Sequence, residues 1–294
     1  MKYVTSRHFD PHIWEYIFHE LSEKSYFADY PEEAKRISSA RGECILENGY
    51  FSYSLISSTL MHYVKNVAYD ESLLLWHIAT ELCYNTDRHD DHNHLVCEYC
   101  DACCSKKCLM AVKFWKNADL HSRMLSGCDH CDAREISKRL SDYMMYLLYQ
   151  QPNLMSEVSG IAKQRFSDTL AEVQRFFSQH TQGQLAVDYE KVIEVHTRFK
   201  SAHVKGNISK SALSDASILA KELKNLGTQK WEVMSKVWVE LLSYAASRSK
   251  GKGHVQQLSN GGELLTFVWL LMAQFGLREF WVETRVHPML TVYK

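Results

Sequence analysis

The chain has 294 residues, of which 46% are hydrophobic and 23% charged, a balance that excludes wholesale disorder. Its 34 Lys and Arg stand against 35 Asp and Glu, a net charge of −1. No long-range basic field is therefore expected for a phosphate backbone, and the reading is no nucleic acid.

At ~150 residues per domain the length allows one or two domains. No apolar run reaches the ~18 residues of a membrane span. The nearest, Leu264 to Met272, is interrupted by Thr266. The N-terminus lacks an apolar signal core and carries Asp10, Glu15 and Glu20, which argues against a transit peptide. The cytoplasm is the default compartment, with the nucleus, or an organelle reached through a partner, as alternatives. Thiols stay reduced there, so clustered cysteines read first as metal ligands.

Helical spacing runs through most of the chain. Ile13, Ile17, Phe18 and Leu21 predict a helix over 12–22. Residues 31–40 open with Pro31, Glu32 and Glu33, as a first helical turn should. Asp70 reads as the cap of a helix carrying Leu74, Ile78 and Leu82. Ile136, Leu140, Tyr143, Met144 and Leu147 form one stripe over 134–149, ended by Pro152. Further helices are predicted over 161–180 and 211–226. The segment 181–210 is polar and reads as a linker with one weak helix at 185–200. An isolated β-like stretch, Val187 to Val195, overlaps it.

In the C-terminal third, Trp231, Met234, Trp238, Leu241 and Ala245 share a helix face. Asn260 and Glu263 have capping-box spacing. Leu264 to Phe275 is apolar nearly all round, which predicts burial on most sides. Gly276 stands where a left-handed cap is needed. These last two helices read as an antiparallel pair at the centre of the core. The fold class is all-α: an irregular multi-helix bundle with a Cys/His-rich insertion. Residues 1–180 form the N-terminal helical region, with the insertion at about 87–132. Residues 211–294 form the C-terminal region, packed on the first as one unit.

The blocks DESLLLWHIATELCYN (70–85), ISKRLSDYMMYLLYQQPNLM (136–155), WEVMSKVWVELLSYAA (231–246) and HVQQLSNGGELLTFVWLLMAQFGL (254–277) resemble the plant family called domain of unknown function 594. AKRISSARGECIL (34–46) resembles its upstream part. The resemblance implies a land-plant origin. Typical relatives carry a multi-pass membrane region, domain of unknown function 4220, ahead of this part. Met1 falls near the start of the soluble portion, so a free-standing soluble version is expected. Where the family often has a Cys after its YAAS block, this chain has Ser247, Arg248 and Ser249. The family has no established catalytic residues to transfer.

Eight of the nine cysteines fall between Cys83 and Cys131. Two C-x-x-C knuckles, Cys97/Cys100 and Cys128/Cys131, can complete a tetrahedron of thiolates around zinc at about 2.3 Å. The 27 residues between them (101–127) exceed the ~15–20 of a compact zinc ribbon. Cys103, Cys104, Cys108, His92 and His94 are alternate ligands, and His89 and His130 are spare donors. Free thiols and a redox or iron–sulfur role are the competing readings. A Cys-rich closed site would be structural, because catalysis needs an open coordination position.

His77 and Glu81, four apart, read as core residues before metal ligands. The acidic and histidine run Asp87 to His94 reads as a solvated loop. Trp231, Trp238, Trp269 and Trp281 read as core or interface aromatics. Glu240 and Glu263, if buried, need partners, for which His254 and Gln257 are candidates. No phosphate loop, nucleophile elbow, Rossmann fingerprint or kinase set occurs.

The expectation is a non-enzymatic protein–protein interaction protein: a regulator, decoy or antidote-type binder acting on a partner or related protein. One alternative is a zinc hydrolase using His77, Glu81 and the histidines of 89–94. Another is a zinc-finger nucleic-acid binder, for which Lys106, Lys107, Lys113 and Lys116 supply few positive charges.

Overall fold

The computed structural model describes residues 11–28, 30–48, 55–90, 129–151, 154–155, 158–180, 189–198, 211–259 and 263–277. Among these residues the protein is helical, with no strand. Twelve α-helices and one 3-10 turn are described. They are α1 (Pro11–Ser25), α2 (Pro31–Ser39), α3 (Glu43–Asn48), α4 (Leu55–Lys65), α5 (Tyr69–Asp90) and α6 (Asp129–Gln150). There follow α7 (Ala162–His180), α8 (Tyr189–Arg198), α9 (Ala212–Lys224), α10 (Lys230–Arg248), α11 (Gly251–Ser259) and α12 (Leu264–Gln274).

The expected α2 stands as read, with Pro31 at its first position and Glu32 and Glu33 in its first turn. Both acids lie where the helix dipole favours negative charge. Ser211 caps α9, its side chain accepting the Ser214 N–H, which satisfies one of the orphan donors of a helix start. Within the polar stretch 181–210, α8 packs on α9 and α5, with Val192 and Ile193 buried. The β-like pattern there is one side of a short helix. Gly276 takes the expected left-handed conformation at φ +67°, and Leu277 N–H bonds the Met272 carbonyl. That pairing closes the end of α12.

Five helices stand in neighbour order α9–α5–α6–α10–α12. The contacts of α5 and α6 run in opposite chain directions: Tyr84 meets Arg134, Glu81 meets Lys138, and His77 meets Ser141. The two helices are therefore antiparallel. α10 is buried almost all round, from Trp231 through Ala246. Trp76 and Trp238 are fully enclosed, and Trp238 Nε1 donates to Thr80 Oγ1 at 3.1 Å, tying α10 to α5. Each large apolar side chain so enclosed contributes about 1.5–3 kcal/mol against exposure.

α1 runs beside α10 in the same direction. Tyr16 pairs with Ser235 at 2.7 Å, and Lys24 with Glu240 at 2.7 Å. α12 packs on α10, α1 and α11, but at the rim. Leu264, Leu265, Val268 and Met272 face inward, whereas Leu270 is 44% exposed and Phe267 and Trp269 are half-buried. Burial on most sides was expected for this segment, and six of its eleven residues are buried. The central position goes to α10, because the N-terminal helices cover α10 and leave α12 an open side. No helix of the described residues is long and apolar enough to cross a membrane.

Candidate functional site

Three sets of polar side chains enter the described core, and each joins segments far apart in the chain. The first lies between α5 and α6. His77 Nδ1 is 2.8 Å from Ser141 Oγ. Lys138 Nζ lies 2.6 Å from Glu81 Oε1 and 2.6 Å from Asp142 Oδ1. The two carboxylates and His77 form a group whose ligand atoms lie within 4.8 Å of one another. Burial holds the His77 pKa below its ordinary value, against the opposing field of Glu81 and Asp142. The Lys138 ammonium occupies the position between the carboxylates that a metal ion would need.

The second set ties α1 and the α2–α3 turn to α10. Glu240 is 1% exposed. It takes Lys24 at 2.7 Å and the Gly42 backbone N–H at 2.8 Å. Gly42 sits at φ +126°, and a Cβ there would meet Val64 at 2.9 Å and Val237 at 3.1 Å. Only glycine lets the backbone come close enough to donate to Glu240. The Arg36 guanidinium reaches Cys44 Sγ at 3.4 Å beside this turn. Burial pushes the Cys44 thiol up to about 11, with the Glu240 charge adding to it. Such a thiol is inert at neutral pH.

The third set clamps α7 onto α5. Asp70 is 2% exposed and accepts from Ile161 N–H at 3.1 Å and Arg165 Nε at 3.0 Å. Arg165 also meets Glu71 at 2.9 Å. Asp70 was expected to cap its own helix. It stands instead inside the first turn of α5 and satisfies a donor at the start of α7. The shallow groove beside it, lined by Leu74, Met145, Leu148, Tyr149 and Phe166, has room for about one water.

The partners expected for the C-terminal glutamates are corrected by these contacts. Glu240 pairs with Lys24 and Gly42, and Glu263 with Tyr143. The Tyr143 hydroxyl hydrogen-bonds the Glu263 carboxyl and accepts the Leu265 N–H at 2.9 Å. Burial raises the Glu263 pKa, and the bonds from Tyr143 and Leu264 offset part of that. Glu263 itself occupies the N-cap position of α12. Asn260 of the expected capping box lies outside the described residues. His254 is buried, 3.1 Å from Thr266 Oγ1 through Nδ1, and stacks on Trp269 with ring centroids 4.7 Å apart.

Trp231 and Trp238 are core residues as expected, 4% and 0% exposed. Trp281 lies outside the described residues. So do Cys97, Cys100, Cys103, Cys104, Cys108, Cys128, His92 and His94, together with Lys106, Lys107, Lys113 and Lys116. Cys131 falls in the first turn of α6.

On the surface, Phe18 is 50%, Leu270 44%, Val255 64% and Leu258 49% exposed. They belong to α1, α12 and α11, of which α12 contacts the other two. Phe18 rests edge-on against Phe275 at 5.4 Å, and Trp14 against Phe267 at 4.3 Å. These contacts leave apolar side chains exposed on α1, α11 and α12. The sequence reading set Phe18 at helical spacing with Ile13, Ile17 and Leu21, and did not single out Leu270. The one available signal was that α12 is too apolar for a rim helix.

The architecture defines an all-α protein whose core acids are paired across distant helices. Residues 224–277, which span the end of α9 through α12, match the family described as Protein of unknown function, DUF594. The match covers 54 of the 294 residues and takes in the last two of the blocks that resemble this family in sequence. No curated protein and no solved structure matches the chain.

Proposed function

We propose that this is a non-enzymatic interaction protein that receives a protein partner on the exposed apolar side chains of α1, α11 and α12. It would act in plants as a regulator, decoy or antidote-type binder of that partner or of a related protein. The observation that carries this reading is the set of exposed apolar side chains on α1, α11 and α12, the last two of which lie in the family-matched segment. Scattered exposed apolar side chains are ordinary, but contiguous patches mark interaction sites. The internal polar sets support it as well: His77, Glu81, Asp70 and Glu240 are each engaged by a neighbouring side chain or backbone group, which leaves them to hold the fold. Affinity capture from plant extract with the wild-type chain and with Phe18→Asp/Leu270→Asp tests it. A stoichiometric partner, retained at several salt levels and lost with the double variant, is expected. No such partner, or capture untouched by the variant, overturns it.

The Cys/His-rich insertion is proposed to hold a structural zinc through Cys97, Cys100, Cys128 and Cys131, with the alternates named above. The antiparallel α5–α6 register supports this, since the same register carried one turn further sets position 88 opposite Cys131. The helix pair would thereby close the insertion at its base. Metal analysis of the purified chain is expected to find zinc, and a chelator to lower its stability. Metal-free protein of unchanged stability overturns the assignment.

A further inference from the structure

We propose that residues 278–294, which follow α12 and lie outside the described residues, fold back as a strap that lays Phe280 and Trp281 over the seam between α1 and α12. Two aromatic pairs make that seam. Trp14 meets Phe267 with ring centroids 4.3 Å apart, and Phe18 meets Phe275 at 5.4 Å. The seam is open to solvent: Phe18 is 50% and Leu270 44% exposed, and Trp14, Phe267 and Phe275 are only half-buried.

The point at which the segment starts is the second observation. Phe275 is the C-cap of α12, so one end of the seam stands where residues 278–294 begin. Gly276, at φ +67°, turns the backbone there. Leu277 is 0% exposed, and its N–H is held by the Met272 carbonyl at 2.9 Å. The segment therefore leaves from against the bundle, two residues past Phe275. At ~3.3 Å per extended residue, Phe280 and Trp281 reach ~10–13 Å from Leu277. Phe267 lies eight residues before Phe275, ~12 Å along the helix. The two side chains can thus cover the seam with the chain unstrained.

The composition of the segment makes it a fitting occupant. Phe280, Trp281 and Val282 are consecutive, and Val286, Met289, Leu290, Val292 and Tyr293 follow. Such side chains gain by leaving water, and the seam is the open apolar surface at their tether. A tether this short holds them there at high effective concentration. Arg278 and Arg285, on either side of the apolar run, are opposite in sign to Glu15 and Glu23, which are exposed on α1. Phe18 and Leu270 are also side chains offered above to a protein partner. The strap covers them in the free chain, and a partner takes them by displacing it. That consequence rests on the partner reading, whereas the intramolecular contact does not.

Trp281→benzoylphenylalanine in the purified full chain tests the contact with no partner present. After irradiation, mass spectrometry of the digested monomer is expected to find position 281 joined to the α1 peptide that holds Trp14 and Phe18. Phe18→Asp changes a half-exposed side chain and is expected to abolish that cross-link, with the circular dichroism unchanged. Phe280→Asp removes the strap's own anchor, leaves the described core untouched, and is expected to abolish it as well. Cross-links from position 281 that leave out α1, cross-links only between copies, or an α1 cross-link that survives Phe280→Asp overturn the strap. Partner capture is a separate measurement, so the two readings fail separately.

Discussion

The clamp between α5 and α7 makes a sharp prediction at Gly160. This residue has φ +47°, and a Cβ built on it would lie 2.9 Å from both Cγ and Oδ1 of Asp70 and 3.0 Å from Oδ2. Gly160→Ala therefore meets two costs. An L residue in the left-handed region costs about 1–2 kcal/mol. The clash adds a second cost, because Asp70 is buried and held by Arg165 and the Ile161 N–H. Moving the carboxylate weakens a charge-assisted hydrogen bond worth about 1.5–3 kcal/mol. The variant should lose about 3–4 kcal/mol in total. Gly227 is the built-in control: its φ is +59°, but nothing lies within 4 Å of its Cβ position. Gly227→Ala should lose only the backbone part, about 1–2 kcal/mol. Urea unfolding followed by circular dichroism measures both variants against wild type. Equal losses in the two would refute the reasoning, since the clash with Asp70 would then contribute nothing.

Two other predictions rest on the remaining polar sets. Lys24→Met leaves Glu240 buried with only the Gly42 N–H and should destabilise the fold by about 3 kcal/mol. Adding Glu240→Gln should recover a large part of that, and a double-mutant cycle showing no coupling would count against the pair. The His77 pKa is held below its ordinary 6.5 by burial. The unfolded chain thus takes up the proton first as pH falls. The corresponding stability is present above 6.5 and is lost as pH drops through the window beneath it. His77→Gln should flatten the stability profile in that window, and an unchanged slope would show that His77 does not set it.

Helix positions were largely legible because apolar spacing is a local signal. Ile13, Ile17 and Leu21 mark α1, Leu74 and Leu82 mark α5, and Ile136, Leu140 and Leu147 mark α6. Each set lies on the buried side of its helix. Partnerships were less legible. Asp70 looked like a cap for its own helix, since the sequence around it contains a good helix start. Its carboxylate instead serves Ile161, 91 residues away. Glu240 had His254 and Gln257 nearby in sequence, but the folded chain brings Lys24 and Gly42 to it, 216 and 198 residues distant. Nothing local in the sequence distinguishes these candidates.

The sequence by itself determined that the chain would be helical and which family its C-terminal segment resembles. Both follow from short-range patterns of side chains. Tertiary structure alone decided that α10 takes the centre, that α12 keeps an exposed flank, and which distant group neutralises each buried acid. Burial and charge pairing depend on what other helices bring to a residue. Such neighbours are set by packing and have no local sequence code.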